Sequence, residues 1–135
     1  SGTDCDWVAK VIDVFPDTTG ISESPLRHNK LGGYQMLVRG DVLRGKFRHG
    51  LATPEEITPD TPATFEYTLQ DVFHQFTKGH RLMVQIQSTW FPMIDRNPGT
   101  FTDIYSATDS DFQKTTQRVY HSEQHASYLK FSILQ

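Results

Sequence analysis

Asp6-Trp7-Val8-Ala9-Lys10-Val11-Ile12-Asp13-Val14-Phe15 is the stretch on which the fold turns. Trp7, Ala9, Val11 and Phe15 alternate with Val8, Ile12 and Val14, and β-branched residues dominate, which predicts a strand of about ten residues. Both of its faces are largely apolar. In an antiparallel protein this implies cover on both sides, by a second sheet on one and by a neighbouring domain or loop on the other. Pro16-Asp17 stops the strand, and Thr18 to Leu31 has the Gly, Ser, Pro and Asn content of a loop.

Outward from that stretch the pattern stays β-like. Gly33 to Phe47 reads as a second β region, with Tyr34, Met36 and Val38 on one face and Gln35, Leu37 and Arg39 on the other. Gly40 and Gly45 inside it mark bulges or close approaches by another part of the chain. Arg48 to Pro62, with Pro54, Pro59 and Pro62, is expected to be a long surface connection. Phe65, Tyr67 and Leu69 alternate with Glu66, Thr68 and Gln70 as in a half-buried strand. Lys78-Gly79 then signals a turn, and Leu82, Val84 and Ile86 alternate with Met83, Gln85 and Gln87, so the two runs predict a hairpin. Asp103 to Lys114 is polar, and Thr115 to Tyr120 and Ser127 to Leu134 read as two last strands. No window of eleven or more residues carries a helical apolar stripe. Six to eight strands with long connections predict an all-β domain, a sandwich of two antiparallel sheets with the jelly roll favoured over a meander.

The 135 residues suffice for one domain with a sizeable core, and the net charge of −3 is spread along the chain without a basic stripe, so nucleic acid is not an expected partner. No apolar run approaches the length of a membrane span and no signal pattern opens the chain, so no membrane partner is expected; localisation stays open. Cys5 is the single cysteine and is expected to be a half-buried hydrophobe near the first strand. Ser1-Gly2-Thr3-Asp4 runs into strand pattern without an initiator Met, which suggests a cut end.

Chemistry is sparse. Gly-x-Ser-x-Gly is absent, and no serine stands in a context that marks a nucleophile. His121 and His125 lie four apart outside any helix pattern, so no metal is expected there, and His74 and His80 are read as steadying the Lys78-Gly79 turn. Asp4, Asp6, Asp13 and Asp17 match no calcium loop and are expected at solvated positions. Trp90, Phe91, Tyr105 and Tyr34 could form a sugar-stacking platform, though aromatics are more often core residues or a patch covered by a neighbouring domain.

Trp90-Phe91-Pro92-Met93-Ile94-Asp95-Arg96-Asn97-Pro98 joins bulky apolar residues, two prolines that fix φ and an Asp-Arg-Asn triplet able to bond its own backbone. Such a stiff loop is either self-tied through Asp95 and Arg96 or one wall of a site belonging to another domain. Trp90, Phe91, Pro92, Asp95, Arg96 and Asn97 are accordingly the docking or pocket-wall candidates, with no catalytic residue and no metal ligand among them.

That loop, read with Ser1 to Asp4, Asp6 to Asp17, Gly33 to Gln35, Arg39 to Arg48, Leu69 to His74, Lys78 to Ile86, Ser88 to Pro98 and Tyr120 to Glu123 with His125, resembles the C-terminal domain of the X-Pro dipeptidyl-peptidase, cocaine esterase and α-amino-acid ester hydrolase family of serine hydrolases. The resemblance covers nearly the whole chain. It implies a single galactose-binding-domain-like jelly roll over 1–135, the C-terminal part of a larger protein whose α/β-hydrolase domain carries a Ser-Asp-His triad and cleaves peptide, ester or amide bonds through an acyl-enzyme. The expected partner is that catalytic domain, no cofactor is implied, and the parent's oligomeric state stays open. No triad position falls in this segment, so the chain alone is expected to be inactive. Cys5 stands where the family often has alanine, and Phe73 where a small polar residue is common. The competing expectation is an independent carbohydrate- or ligand-binding module, supported by fold analogy alone.

Overall fold

A computed structural model describes residues 1–19 and 31–134. Its regular structure is three strands and two single 3₁₀ turns: β1 (Asp6–Val14), β2 (Gln35–Arg44), the turn Gly45–Phe47, β3 (Arg81–Gln87) and the turn Asp109–Asp111. The architecture is all-β, as the period-two patterning predicted. The strands form one antiparallel sheet in the order β2-β1-β3. The stretch that is apolar on both faces therefore takes the central place, where its backbone is bonded on both sides and its side chains are covered above and below.

Cross-strand partners share a face, so the register defines two sides of the sheet. Trp7 opposes Leu43, Val11 opposes Arg39, and Ile12 opposes Leu37, which leaves Val38 as the extra residue of a β-bulge. On the other side Ala9 faces Ile86, Val11 faces Val84 and Asp13 faces Leu82. The front of β1 is thus Asp6, Val8, Lys10, Ile12 and Val14, and its back is Trp7, Ala9, Val11 and Asp13. Val8, Ile12 and Val14 are the buried apolar core, all on the front. Each such side chain taken from water stabilises the fold by about 1.5–3 kcal/mol.

Cover on the back comes from residues 65–76. Phe65 packs on Trp7 with ring centroids 5.2 Å apart. The Tyr67 hydroxyl donates to the Trp7 carbonyl at 3.0 Å, and Arg39 donates to the Asp71 carbonyl at 2.6 Å. Phe65, Tyr67 and Leu69 are half-buried while Glu66, Thr68 and Gln70 are exposed, as the alternation predicted. The expected hairpin is not formed, however: β3 takes β1 as its ladder partner. The Lys78-Gly79 turn does form, with the His80 amide donating to the Thr77 carbonyl at 3.0 Å and Gly79 at φ +91°. Just before it, His74 turns onto Asp13, so the chain crosses the sheet's back instead of lying at its edge. Thr115 to Tyr120 and Ser127 to Leu134, read as strands, likewise belong to no ladder among the described residues.

Three further expectations resolve here. Pro16 and Asp17 end β1 in a turn closed by Thr19 donating to Pro16, and 20–30 of the predicted Thr18–Leu31 loop lie outside the described residues. Gly40 and Gly45 are places of close approach: a Cβ on Gly40 would lie 2.9 Å from the Trp90 ring, and one on Gly45 would lie 2.6 Å from Ile57. Asp4, Asp6 and Asp13 are buried, against the expectation of solvated positions, and Asp17 alone of the four is exposed. An acidic side chain leaves water when donors converge on it, and each of the three buried carboxylates has such donors.

Candidate functional site

The loop after β3 covers the front of the sheet, and its two ends are tied down separately. At one end the Trp90 ring lies against Gly40, where only a residue without Cβ leaves room, and the Lys10 ammonium sits 4.3 Å from its ring centroid. At the other end the Asn97 side chain donates to Asp6 at 2.9 Å and accepts from the Gly99 amide at 2.8 Å. The Asp95 carbonyl accepts from Arg44 at 3.1 Å, and the Arg96 guanidinium stacks 5.4 Å from the Phe112 ring. Asp95 and Arg96 therefore tie the loop, Asp95 through its backbone and Arg96 through its planar cation.

Between the tied ends the chain makes a short crest closed by the Ile94 amide donating to the Trp90 carbonyl at 3.2 Å. Pro92 is exposed after a cis Phe91–Pro92 peptide. Phe91 and Met93 are 64% and 73% exposed, too much for residues of their kind to serve the domain's own core. Of the six candidates, Trp90 and Asn97 are half-buried anchors, Asp95 and Arg96 tie the loop from exposed positions, and Phe91 and Pro92 are exposed on the crest between them. Met93 was missed; its place beside Phe91 in an apolar run was the available signal.

Asp6 is the hub beneath the loop. Arg44 meets it through Nε at 3.0 Å and Nη2 at 3.1 Å, and Asn97 supplies a third donor. Burial works against the charge on Arg44, but the paired Asp6 carboxylate outweighs it and holds the guanidinium above its ordinary value. Asp4 accepts from the backbone amides of Cys5 and Lys46, yet burial dominates and raises its carboxyl. A cleft of about 200 Å³ with mixed polar and apolar walls opens here between Asp4, Asp6, Ser88, Arg96, Asn97 and Phe112. Cys5 beside it is free and half-buried, as expected, and burial together with the adjacent carboxylates of Asp4 and Asp6 pushes its thiol up to about 12. A thiol held protonated in this way is a poor nucleophile.

A second hub occupies the back. His74 Nε2 and His80 Nδ1 lie 2.9 and 2.8 Å from the two oxygens of Asp13. Burial alone would raise the Asp13 carboxyl, but the two imidazoles outweigh it and hold it below its ordinary value. The histidine side chains flank the turn but bond Asp13, 61 and 67 residues away, and not the turn itself as expected, because their local sequence does not announce that buried carboxylate. Neither imidazole bonds a hydroxyl or thiol among the described residues, and no group of three or more His, Cys, Asp or Glu side chains there is arranged to hold a metal. Of the aromatics weighed as a sugar platform, Trp90 is laid against Gly40, Tyr34 packs edge-on to Phe15 yet stays half exposed, and Phe91 and Tyr105 are exposed.

The loop after β3 thus sets an exposed apolar crest of Phe91, Pro92 and Met93 between two tied ends. Residues 1–130 match the family described as the X-Pro dipeptidyl-peptidase C-terminal non-catalytic domain. The chain belongs to that family. Within the X-Pro dipeptidyl-peptidase C-terminal domains it is similar to part of a cocaine esterase of Rhodococcus sp. (strain MB1 Bresler), 26% identical over 134 residues that make up 99% of this chain and 21% of the esterase. Two solved structures resemble it at a TM-score of 0.74, each covering 84% of this chain and 18% of theirs: an aminopeptidase from a marine sediment archaeon, Thaumarchaeota archaeon, at 44% identity, and an α-amino acid ester hydrolase at 41%. The chain therefore spans about a fifth of the length of these relatives.

Proposed function

We propose that this chain is the C-terminal accessory domain of a serine hydrolase and packs on an α/β-hydrolase domain of the same polypeptide, which acts on peptide, ester or amide bonds. The observation that carries the reading is the match over residues 1–130 to a non-catalytic C-terminal family, in relatives about five times as long. The crest supplies the contact: Phe91, Pro92 and Met93 offer an apolar prominence, and Trp90, Asp95, Arg96 and Asn97 tie its two ends. A prominence fixed at both ends loses little freedom on docking, which favours its use as one wall of the parent's substrate pocket. The finer architecture in this reading is a galactose-binding-domain-like jelly roll, in which the strand-patterned segments 65–70, 115–120 and 127–134 supply a second layer behind the sheet. The apolar back of β3 supports that arrangement.

The test is the full-length polypeptide carrying Phe91→Ala and Met93→Ala. Loss of the docking contact is expected to lower thermal stability and, because a positioning surface displaced by about 1 Å can cost ~100-fold in rate, to lower kcat/KM on a chromogenic ester or dipeptide substrate. Unchanged melting and unchanged hydrolysis would remove the crest from both docking and catalysis.

A further inference from the structure

We infer that residues 1–3 are a rigid joint: where the polypeptide enters this domain it is clamped to Gly99, beside the Asn97 end of the crest loop, so that the domain ahead of Ser1 and the crest are held in one fixed relation. The inference rests on the accessory-domain reading above and names the part of the chain that aims the crest. The first residues of a domain ordinarily fray unless something ties them down. Thr3 is tied through each of its polar groups. Its amide donates to the Gly99 carbonyl at 3.0 Å, its carbonyl accepts from the Ile57 amide at 2.9 Å, and its hydroxyl accepts from the Phe101 amide at 2.7 Å. Ser1 pairs with Thr116 in both directions, its nitrogen donating to the Thr116 carbonyl at 2.9 Å and its hydroxyl accepting from the Thr116 amide at 3.1 Å. In a longer polypeptide that nitrogen is an amide and can make the same bond. Between the two, Gly2 runs so close to its neighbours that a Cβ would stand 2.6 Å from Thr115 Cγ2 and 2.7 Å from the Gly99 carbonyl oxygen.

Gly99 makes the tie specific to the crest. Its carbonyl takes the Thr3 amide while its own amide donates to Asn97 Oδ1 at 2.8 Å, and Asn97 donates onward to Asp6 at 2.9 Å. The carbonyl before it, that of Pro98, accepts from the Gln113 amide at 2.8 Å, and Pro98 and Gly99 are both buried. A shift of the entering chain is therefore passed to the Asn97 end of the loop. The Trp90 end rests instead on Gly40 and Lys10. The partner this joint fits is the domain that the same chain forms ahead of Ser1. A tether without slack narrows the poses in which an apolar crest can meet that domain, and so lowers the ordering cost of docking.

The full-length polypeptide provides the test. A Gly-Gly-Ser-Gly-Gly-Ser insert immediately before Ser1 gives the joint slack and leaves this domain's own contacts in place. It is expected to lower kcat/KM on a chromogenic ester or dipeptide substrate at least ~10-fold, since about 1 Å of misplacement can cost ~100-fold. Adding Phe91→Ala with Met93→Ala to the insert is expected to cost little more, because both changes act through the crest. Thr3 is a positioning residue: Thr3→Val, which removes the acceptor of the Phe101 amide, is expected to lower kcat/KM about 3–10-fold, and Thr3→Ser, which keeps it, to restore the rate. An insert without effect would overturn the joint, and so would losses from insert and crest that add in full. Limited proteolysis of the wild type reads the clamp without any variant. Cutting within residues 1–4 is expected to be no faster than digestion of the domain itself, and early release of the domain by a cut there would overturn the inference. A wild type that hydrolyses neither substrate would count against the accessory-domain reading, and proteolysis would still decide the joint.

Discussion

The two coverings of β1 are secured in the same way and with opposite chemistry. Each face buries one carboxylate of the strand, and each carboxylate draws in a segment distant in sequence: Asp6 takes Arg44 and the Asn97 end of the front loop, and Asp13 takes His74 and His80 of the back cover. The front hub is built from a guanidinium that stays charged at any working pH, whereas the back hub is built from imidazoles. The contrast teaches that a central strand can hold two unrelated pieces of chain with one residue type, provided the partners differ.

The sharpest way to break the comparison is to remove the front cation. Arg44→Leu leaves Asp6 buried with its main partner gone and is expected to cost about 3–5 kcal/mol in urea unfolding of the isolated chain. Removing one back donor, His74→Ala, leaves Asp13 with His80 and is expected to cost less, about 1–3 kcal/mol. Equal costs would show that the two hubs do not differ as their partners suggest.

A second test concerns the tied end of the front loop. Gly40→Ala drives a methyl against Trp90 and is expected to destabilise by about 1–3 kcal/mol, and combining it with Trp90→Ala is expected to recover part of that loss. Strict additivity in the cycle would mean that the ring does not rest on Gly40.

Titration separates the back hub from Asp4, the buried carboxylate beside the front one. The Asp13 carboxyl is held below its ordinary 3.8, so its contribution to stability is fully present above that value and is lost as the pH falls through the lowered one. Asp4 runs the other way: its carboxyl is raised, so it favours the folded state at low pH, and that contribution disappears as the pH climbs through the raised value. Asp13→Asn is therefore expected to flatten the acid limb of the stability curve below about pH 4, measured by denaturant unfolding across pH. An acid limb as steep as the wild type's would place the back hub's stability elsewhere. The smallest effect is expected at the crest, where Phe91→Ala with Met93→Ala should change the isolated chain's stability by no more than about 0.5 kcal/mol, since neither side chain serves its core.

What the sequence made legible follows the same division. β1, β2 and β3 were all visible, because period-two alternation of β-branched residues is local information, and so was the Lys78-Gly79 turn. Ladder partners were not. Phe65 to Gln70 shows the right alternation, yet its neighbour is chosen by Trp7 and Asp13, residues about 60 positions away whose role no local pattern signals. The buried carboxylates were misjudged for that reason: Asp6 and Asp13 look solvated until Arg44, Asn97, His74 and His80 are brought to them. In the loop, the stiffness of Trp90 to Asn97 could be read from its prolines and polar triplet. The split between tied ends and exposed crest could not, since it depends on Gly40, Lys10 and Phe112 meeting Trp90 and Arg96.

The strand order carries a consequence for biosynthesis. β1 sits in the middle of the sheet, but its neighbour β3 ends roughly 70 residues later in the chain. At a synthesis rate of about 5–20 residues per second, a strand that is greasy on both sides waits several seconds for its second partner. Throughout that interval the nascent chain offers a ready substrate for holding chaperones.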